Sequence, residues 1–297
     1  MQEESSNRRT VLKNMGRLAL AAALPTTGAL AAAVSNESPI GGKINHSVCS
    51  WTYGFLSLPE LCAVAKNLGL KAIDLVAPKD FAILQEQGIY CSMCYTAGKV
   101  SLTQGWNDPK QHAWLIKDYL EAIPMVANAG YKNLICFSGN RNGMDEEEGL
   151  KNCVAGLQQI MSVAEKYGVM IQMELFNSKV DHKDYMADRS AWGVELCKRL
   201  GSNHFKLLYD IYHMQISEGD IIHTIRDNHM YFGHYHTAGV PGRHEIDESQ
   251  ELYYPAIMQA IAETGYQGYV AQEFIPTGKT NEDKIAALQK AIKICDI

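Results

Sequence analysis

The sequence predicts an α/β protein that consists of a single (β/α)₈ TIM barrel, and three observations support this prediction. Eight short apolar segments alternate with helical segments from residue 45 to the C-terminus, the order in which βαβ units build a parallel sheet. The chain has 297 residues, and a length of about 250 residues is typical of one such barrel. Acidic and imidazole side chains stand near the C-terminal ends of the last four apolar segments, where TIM barrels carry their active sites.

An open, doubly wound parallel sheet would show the same alternation, so the number of strands alone does not establish a closed barrel. The first strand is not followed by a G-x-G-x-x-G turn, which removes the main dinucleotide-binding interpretation. In an open sheet, side chains from four consecutive strands would spread across roughly 15 Å, whereas a barrel brings them to one point. The polar residues on the last four strands therefore favour the barrel.

The predicted strands are runs of aliphatic, β-branched and aromatic residues. In chain order they are Asn45–Trp51, Ala72–Val76, Ile89–Tyr95, Asn133–Ser138, Met170–Phe176, Phe205–Tyr209, Tyr231–Thr237 and Tyr269–Phe274. Helices are predicted in the gaps, and two of them have clear end signals. Lys110–Ala129 ends before Gly130, while Glu146–Tyr167 begins with acidic residues and ends before Gly168.

Residues 1–33 are predicted to be a twin-arginine export signal rather than part of the fold. Arg8 and Arg9 precede an apolar segment from Leu18 to Ala33, which ends in small residues suited to A-x-A-like cleavage. This segment is shorter than the roughly 20 apolar residues of a membrane span, so a retained anchor is the less favoured alternative. We therefore expect residues 34–297 to form the catalytic domain of an exported, periplasmic bacterial protein that is a client of the twin-arginine export machinery.

The composition argues against a nucleic-acid partner. The net charge of the chain is −6, and loss of residues 1–33, with four basic and two acidic side chains, makes it −8. An acidic protein without a basic stripe does not suit a phosphate backbone.

Eight cysteines in an exported protein could form disulfides, but their positions predict buried, free thiols. Four fall in predicted strands and four in predicted helices: Cys49, Cys91, Cys94 and Cys136, then Cys62, Cys153, Cys197 and Cys295. Cys91 and Cys94 form a C-x-x-C pair, which is a weak redox or zinc signal. Residues three apart on a regular strand point to opposite faces, so we expect these two side chains to be separated.

Four polar side chains interrupt the apolar strands near their C-terminal ends. In strand order they are Glu174, Asp210, His236 and Glu273. They are 36, 26 and 37 residues apart, about one βα unit each, so they should lie at similar depth on consecutive strands. Three carboxylates that close repel one another unless a cation lies between them. Mixed carboxylate and imidazole ligation suits one divalent metal ion, with Mn²⁺ or Mg²⁺ favoured and Zn²⁺ also acceptable.

Further side chains fall at the same end of the predicted barrel. His213 follows the sixth strand, and Arg243 stands in a glycine-containing loop after the seventh. An arginine beside a metal can hold an anionic or polyhydroxyl substrate, so both are candidate substrate-binding residues; a solvated charge or a helix cap is the alternative. We expect His234 to support the metal ligands from behind. Trp51, at the end of the first strand, is either an aromatic wall for the substrate or a core residue.

Four stretches of the chain resemble the xylose-isomerase-like barrel superfamily and, within it, most of all the hydroxypyruvate isomerase family. They are Met173–Asn177, Tyr209–His213, His236–Glu245 and Gly265–Glu273. The similarity covers essentially the whole of residues 34–297. The resemblance implies that the four strand-end residues bind the metal, and that Glu174 and Glu273 also move protons. It further implies that His213 and Arg243 contact substrate oxygens.

Two features depart from the family pattern. Hydroxypyruvate isomerases often have Gln where this chain has His236, whereas the related ketose 3-epimerases have His. The predicted export signal is the second departure, since the best-known family members are cytoplasmic. The resemblance therefore indicates the class of chemistry and leaves the substrate open.

The sequence thus predicts a divalent-metal-dependent isomerase that acts through an enediolate on a small sugar or hydroxy-keto acid, for example by converting hydroxypyruvate to tartronate semialdehyde. A ketose 3-epimerase, or another sugar epimerase or dehydratase on the same metal site, is the main alternative. An endonuclease-type barrel would need further metal ligands and a basic groove. A non-catalytic sugar-binding protein would normally have two lobes. A homo-oligomer is compatible with the sequence.

Overall fold

The computed structural model describes residues 40–297, in which eight parallel strands close into a barrel in chain order. The strands are β1 (Asn45–Cys49), β2 (Ala72–Val76), β3 (Tyr90–Cys94), β4 (Asn133–Cys136), β5 (Met170–Glu174), β6 (Phe205–Asp210), β7 (Phe232–Thr237) and β8 (Tyr269–Gln272). The pairing of β1 with β8 closes the sheet and confirms the predicted barrel over the open alternative. Every strand boundary lies within two residues of its prediction.

Nine α-helices surround the barrel within the described residues. They are α1 (Leu58–Asn67), α2 (Phe81–Gln87), α3 (His112–Asn128), α4 (Glu146–Tyr167), α5 (Ser190–Leu200), α6 (Ile211–Ser217), α7 (Ile221–Asn228), α8 (Tyr254–Glu263) and α9 (Asn281–Cys295). The connection from β6 to β7 holds two helices where one was expected. The predicted helix at 110–129 is a short 3₁₀ turn followed by α3.

Helix α4 matches its predicted bounds because both of its ends are fixed by local chemistry. The Asp145 side chain accepts a hydrogen bond from the backbone N–H of Glu148, which caps the N-terminus. Gly168 ends the helix at φ 66°, a left-handed conformation that glycine adopts without a steric cost. The buried stripe of the helix, including Leu157 and Ile160, packs on the outside of the barrel.

The cysteines are free and buried on the strands and helices where they were predicted, so the prediction of unpaired core thiols is confirmed. The expected separation of Cys91 from Cys94 is wrong, because their sulfur atoms lie 3.4 Å apart. The register between β2 and β3 shifts in this region, and an irregular strand does not alternate its side chains between faces. No helix formed by residues 40–297 is long and apolar enough to cross a membrane.

The predicted export signal, residues 1–33, lies outside the described residues. The signal and the domain boundary at residue 34 therefore stay predictions.

Candidate metal centre

The four predicted metal ligands meet at the C-terminal mouth of the barrel. Glu174 and Asp210 are the last residues of β5 and β6, His236 is the penultimate residue of β7, and Glu273 follows β8 directly. One ligand atom from each side chain lies within 4.8 Å of every other. All four residues are at most 3% exposed. Barrel closure thus produces the convergence that the strand-end spacing indicated.

His236 lies at the centre of this cluster, and both of its ring nitrogens are engaged. Its Nε2 lies 2.8 Å from Oδ2 of Asp74. Its Nδ1 lies 3.0 Å from Oε1 of Glu174 and 2.8 Å from Oε2 of Glu273. When Nε2 donates its hydrogen to Asp74, Nδ1 of a neutral ring presents a lone pair to two carboxylate oxygens, which have no hydrogen to donate. Either a proton on Nδ1 or a cation must therefore lie between these three atoms.

The donor set fits a divalent metal ion. Carboxylate oxygens with one imidazole nitrogen suit Mn²⁺, Mg²⁺ and Zn²⁺. The geometry also lets Nδ1 of His236 bind the ion while Nε2 is held by a carboxylate, which is how protein histidines usually meet a metal. Glu174, Asp210, His236 and Glu273 are the residues that would hold it.

The carboxyl groups of the cluster titrate differently because their surroundings differ. Burial raises the pKa of Asp210 to about 8, although Arg243 opposes the shift. Burial also raises the pKa of Glu174. Burial acts in the same direction on Glu273, but Arg243 and His236 outweigh it and hold the pKa of Glu273 well below its usual range. A bound cation would stabilise the ionised form of all three groups, so metal binding at neutral pH should release protons.

Arg243 provides positive charge beside the carboxylates. Its Nη2 lies 2.6 Å from Oε2 of Glu273 and 3.4 Å from Oδ2 of Asp210. The guanidinium also lies over the ring of Trp51, at 5.3 Å from the ring centroid. The loop that carries it turns sharply, with Gly242 at φ 90° and Arg243 at φ 60°. A side chain at position 242 would collide with the ring of His244, so this turn requires glycine.

His213 lies between Asn177 and Arg243. The Oδ1 atom of Asn177 accepts hydrogen bonds from the backbone N–H groups of Val180 and Asp181, so its Nδ2 donates to Nδ1 of His213 at 2.7 Å. Nε2 of the ring lies 3.1 Å from Nη1 of Arg243, within hydrogen-bond distance of a guanidinium that can only donate. Burial holds the pKa of His213 well below its usual range and keeps the ring neutral. Both ring nitrogens thus face N–H donors, and the ring links the guanidinium of Arg243 to Asn177 in the loop after β5.

A cavity of about 430 Å³ opens beside Arg243, between the loops that follow β5, β6, β7 and β8. Most of its wall is aliphatic or proline, and a smaller part is polar. The aliphatic and proline residues are Val180, Ile216, Val240, Pro241 and Ile275. The cavity leaves room for a substrate that extends away from the metal position.

Sequence reasoning missed two contacts around the ligands and left one ambiguous. Asp74 and Ser92 were not identified, although Asp74 is the one charged residue in the otherwise apolar β2, and this was an available signal. Trp51 was predicted to be either an aromatic wall or a core residue, and its Nε1 donates a hydrogen bond of 2.8 Å to Oε1 of Glu273. His234 does lie behind the ligands as expected, with Nε2 at 3.1 Å from Oδ2 of Asp74.

Cys49, Asp74 and His236 form a second group with metal-ligand atoms close together. The N···O distance of 2.8 Å between His236 and Asp74 is that of a direct hydrogen bond, so this group is a hydrogen-bonded support of the first. Within residues 40–297, no other group of three such ligands was found.

The model of the xylose isomerase-like TIM barrel family matches residues 62–295, and the chain belongs to this family. Its resemblance to the hydroxypyruvate isomerase family is confirmed by a putative hydroxypyruvate isomerase of Drosophila melanogaster. That relative is 36% identical over 235 residues, which cover 76% of this chain and 89% of the relative. A 2-oxo-tetronate isomerase of Cupriavidus necator is 34% identical over 120 residues, which cover 40% of this chain and 45% of the relative.

With several curated relatives, the aligned part of the chain spans about half of their length. Among solved structures, the D-psicose 3-epimerase of Clostridium cellulolyticum H10, described with D-tagatose, has a TM-score of 0.70 to this chain. The identity is 18%, and the match covers 85% of this chain and 98% of that one. The likeness shows that the two proteins share the barrel fold.

Proposed function

We propose that the protein is a divalent-metal-dependent isomerase that interconverts a hydroxy-ketone and a hydroxy-aldehyde through an enediolate. Hydroxypyruvate, or a related short keto acid or sugar, is the proposed substrate. The observation that carries the proposal is the pair Glu174 and Glu273, which come from non-adjacent strands and both approach Nδ1 of His236, at 3.0 and 2.8 Å. Curated relatives named hydroxypyruvate isomerase and 2-oxo-tetronate isomerase support the same class of reaction.

When bound, the metal would make the C–H group beside a carbonyl more acidic and stabilise the negative charge that develops on oxygen. One glutamate removes the C–H proton; the electron pair of that bond forms a C=C bond, and the carbonyl π pair moves to its oxygen. The other glutamate delivers a proton to the former carbonyl carbon, while the neighbouring hydroxyl loses its proton and becomes the new carbonyl. The oxygen that gained the electron pair takes up that proton. For hydroxypyruvate, the carbonyl moves from C2 to C3.

Each glutamate is oriented for this task. Trp51 holds Oε1 of Glu273 with a hydrogen bond of 2.8 Å, which fixes the plane of that carboxylate. Oε2 of Glu174 accepts no hydrogen bond from the described residues, whereas its Oε1 faces His236. One carboxylate oxygen of Glu174 is therefore free to carry a proton to or from the substrate.

Arg243 and His213 would bind the substrate oxygens. Nη1 of Arg243 and Nε2 of His213 lie 3.1 Å apart, within hydrogen-bond distance of each other, and the guanidinium has further N–H groups for a substrate. The guanidinium N–H groups suit an oxygen that carries negative charge, either the enediolate oxygen or a substrate carboxylate. Both side chains are positioned before the substrate arrives, which reduces the cost of reorganisation during the reaction.

A ketose 3-epimerase is the second candidate. His236 at the seventh-strand ligand position and the barrel shared with D-psicose 3-epimerase favour it. An epimerase would use the same two glutamates on opposite faces of one carbon. The cavity of about 430 Å³ has room for a substrate longer than three carbons.

The test is exchange of the substrate C–H hydrogen with deuterated water, followed by proton NMR in the presence of Mg²⁺. Glu174→Gln and Glu273→Gln should each abolish exchange, because glutamine cannot accept the proton. Glu248→Gln is the matched control, since its side chain is 84% exposed and pairs only with Lys290 on the surface. Retained exchange in both active-site variants, or full activity of chelator-treated enzyme, would refute the assignment.

Separate assays with hydroxypyruvate, tartronate semialdehyde and free ketoses, each with Mn²⁺, Mg²⁺ and Zn²⁺, distinguish the two candidates. Carbonyl transfer in the acids supports the isomerase, and inversion at C3 of a ketose supports the epimerase. We further propose that the enzyme works outside the cytoplasm after export through the twin-arginine machinery, on the basis of Arg8, Arg9 and the apolar segment that follows.

A further inference from the structure

We propose that Asp74 is a positioning residue that presents Nδ1 of His236 to the metal. The proposal rests on the metal centre of the proposed function and is independent of the identity of the substrate. Asp74 lies in β2, which carries none of the four ligands and is next to none of the strands that do, and it is fully buried.

The carboxylate of Asp74 accepts from three side chains on two strands, β7 and β3. Its Oδ2 lies 2.8 Å from Nε2 of His236 and 3.1 Å from Nε2 of His234. The Oδ1 atom accepts a short hydrogen bond from the hydroxyl of Ser92 on β3. An ionised carboxylate has no hydrogen to donate, so both histidines must carry theirs on Nε2. When the ring of His236 is neutral, its lone pair is therefore on Nδ1, which faces Glu174 and Glu273.

His234 supports this assignment independently. Its Nδ1 is buried and has no hydrogen-bond partner among the described residues. A bare ring nitrogen is tolerated there more easily than an unpartnered N–H group, so the hydrogen of His234 belongs on the Nε2 side, toward Asp74. His234 thus donates to Oδ2 of Asp74, the oxygen that also accepts from His236. This second hydrogen bond helps to fix the orientation of the Asp74 carboxylate.

The backbone of β2 is bent at this residue. The register against β3 shifts on both sides of Asp74, and the next residue, Leu75, has φ 61°. Residues other than glycine rarely adopt this backbone conformation. Bulges of this kind beside active sites commonly redirect a side chain. Ser50 holds the bend: its backbone N–H donates to the carbonyl of Asp74 at 3.0 Å, and its hydroxyl donates to the carbonyl of Leu75 at 2.8 Å. A distorted strand, held by specific contacts, thus directs Asp74 at His236.

Removal of this carboxylate should weaken the metal site without removing a ligand. The ring of His236 could then carry its hydrogen on Nδ1 and would lose its fixed orientation. Loss of such a partner behind a metal-bound histidine typically lowers metal affinity 10-fold to 100-fold.

The test uses the full chain, with Mn²⁺ and Zn²⁺ as the probes. Metal affinity of the wild type, Asp74→Asn and Asp74→Ala is measured by calorimetry, and the histidine ring nitrogens are observed by ¹⁵N NMR with Zn²⁺ bound. We expect about 10-fold weaker binding for Asp74→Asn and up to about 100-fold for Asp74→Ala. Ser92→Ala should lower the metal affinity by less, because it leaves the contact of Oδ2 of Asp74 with His236 in place. Thermal unfolding in EDTA checks that each variant is folded.

The NMR measurement stands without any variant. Wild-type protein should show a metal-bound Nδ1 and a protonated Nε2 for His236; the reverse pattern would overturn the proposal even if the Asp74 variants fail to fold. Unchanged affinity in folded Asp74→Asn and Asp74→Ala would also overturn it, and active wild-type enzyme would then leave the proposed function intact. A wild type that binds neither metal overturns both.

Discussion

Replacement of His46 should remove a large part of the acid sensitivity of folding. His46 lies in β1 and is 3% exposed, and neither ring nitrogen has a hydrogen-bond partner among the described residues. Its nearest acidic group, Oδ1 of Asp296, is 3.6 Å away, too far for a good hydrogen bond. Burial therefore dominates and lowers the pKa of His46 to about 4.

The sign of the effect follows from this lowered pKa. The unfolded chain, with a histidine pKa of about 6.5, takes up the proton first as the pH falls, so stability is lost between about pH 6.5 and pH 4. Between pH 7.5 and pH 5 the loss amounts to about 2 kcal/mol from this one side chain. Above pH 7 the contribution is constant, because the ring is then neutral in both states.

Urea unfolding at the two pH values, with EDTA present so that metal binding does not contribute, measures the effect. The fall in the free energy of unfolding from pH 7.5 to pH 5 should be about 2 kcal/mol smaller in His46→Leu than in the wild type. His223→Leu controls for the loss of an imidazole, since the His223 side chain is 70% exposed. An equal fall in the wild type and His46→Leu would refute the reasoning.

Three further outcomes are expected. Mn²⁺ at 100 times its Kd should stabilise the protein by about 2.7 kcal/mol and raise Tm by about 5–10 °C in calorimetry; no shift would contradict the metal centre. Arg243→Ala should lower kcat/KM by about 100-fold or more, as loss of a donor to a developing oxyanion does. Arg243→Lys should restore little of this, because one ammonium cannot replace the guanidinium fork. Arg199→Ala is the control in the same assay, since Arg199 lies on the outer face of α5 and pairs with Glu147 on the surface. The double change of Arg8 and Arg9 to lysine should leave the precursor in the cytoplasm on fractionation, and normal export would refute the predicted signal.

The barrel and its metal ligands were predictable because both depend on local periodicity. Each strand is a short apolar run, and each ligand interrupts such a run near its end, one βα unit after the previous ligand. Closure of the sheet then brings the ligands together without any further information. The ends of α4 were predictable for the same reason, since a capping aspartate and a terminal glycine act within a few residues.

The supporting contacts were not predictable, because they join residues that are distant in sequence and depend on irregular backbone. Asp74 meets His236 across 162 positions and only because β2 is bent beside Leu75. The contact between Cys91 and Cys94 contradicts the alternation of a regular strand for a similar reason. The alternation of apolar and polar residues along a strand does not indicate where such a bulge occurs.

The seam between β1 and β8 joins the two halves of the metal centre. The ligands come from the second half of the chain, while Trp51 and Asp74, which hold Glu273 and His236, come from the first half. Separation of β1 from β8 would leave the ligands on one half and these two supports on the other. The candidate centre is therefore complete only in a closed cylinder, and a local opening of this seam would part the four predicted ligands from their supports before the protein as a whole unfolds.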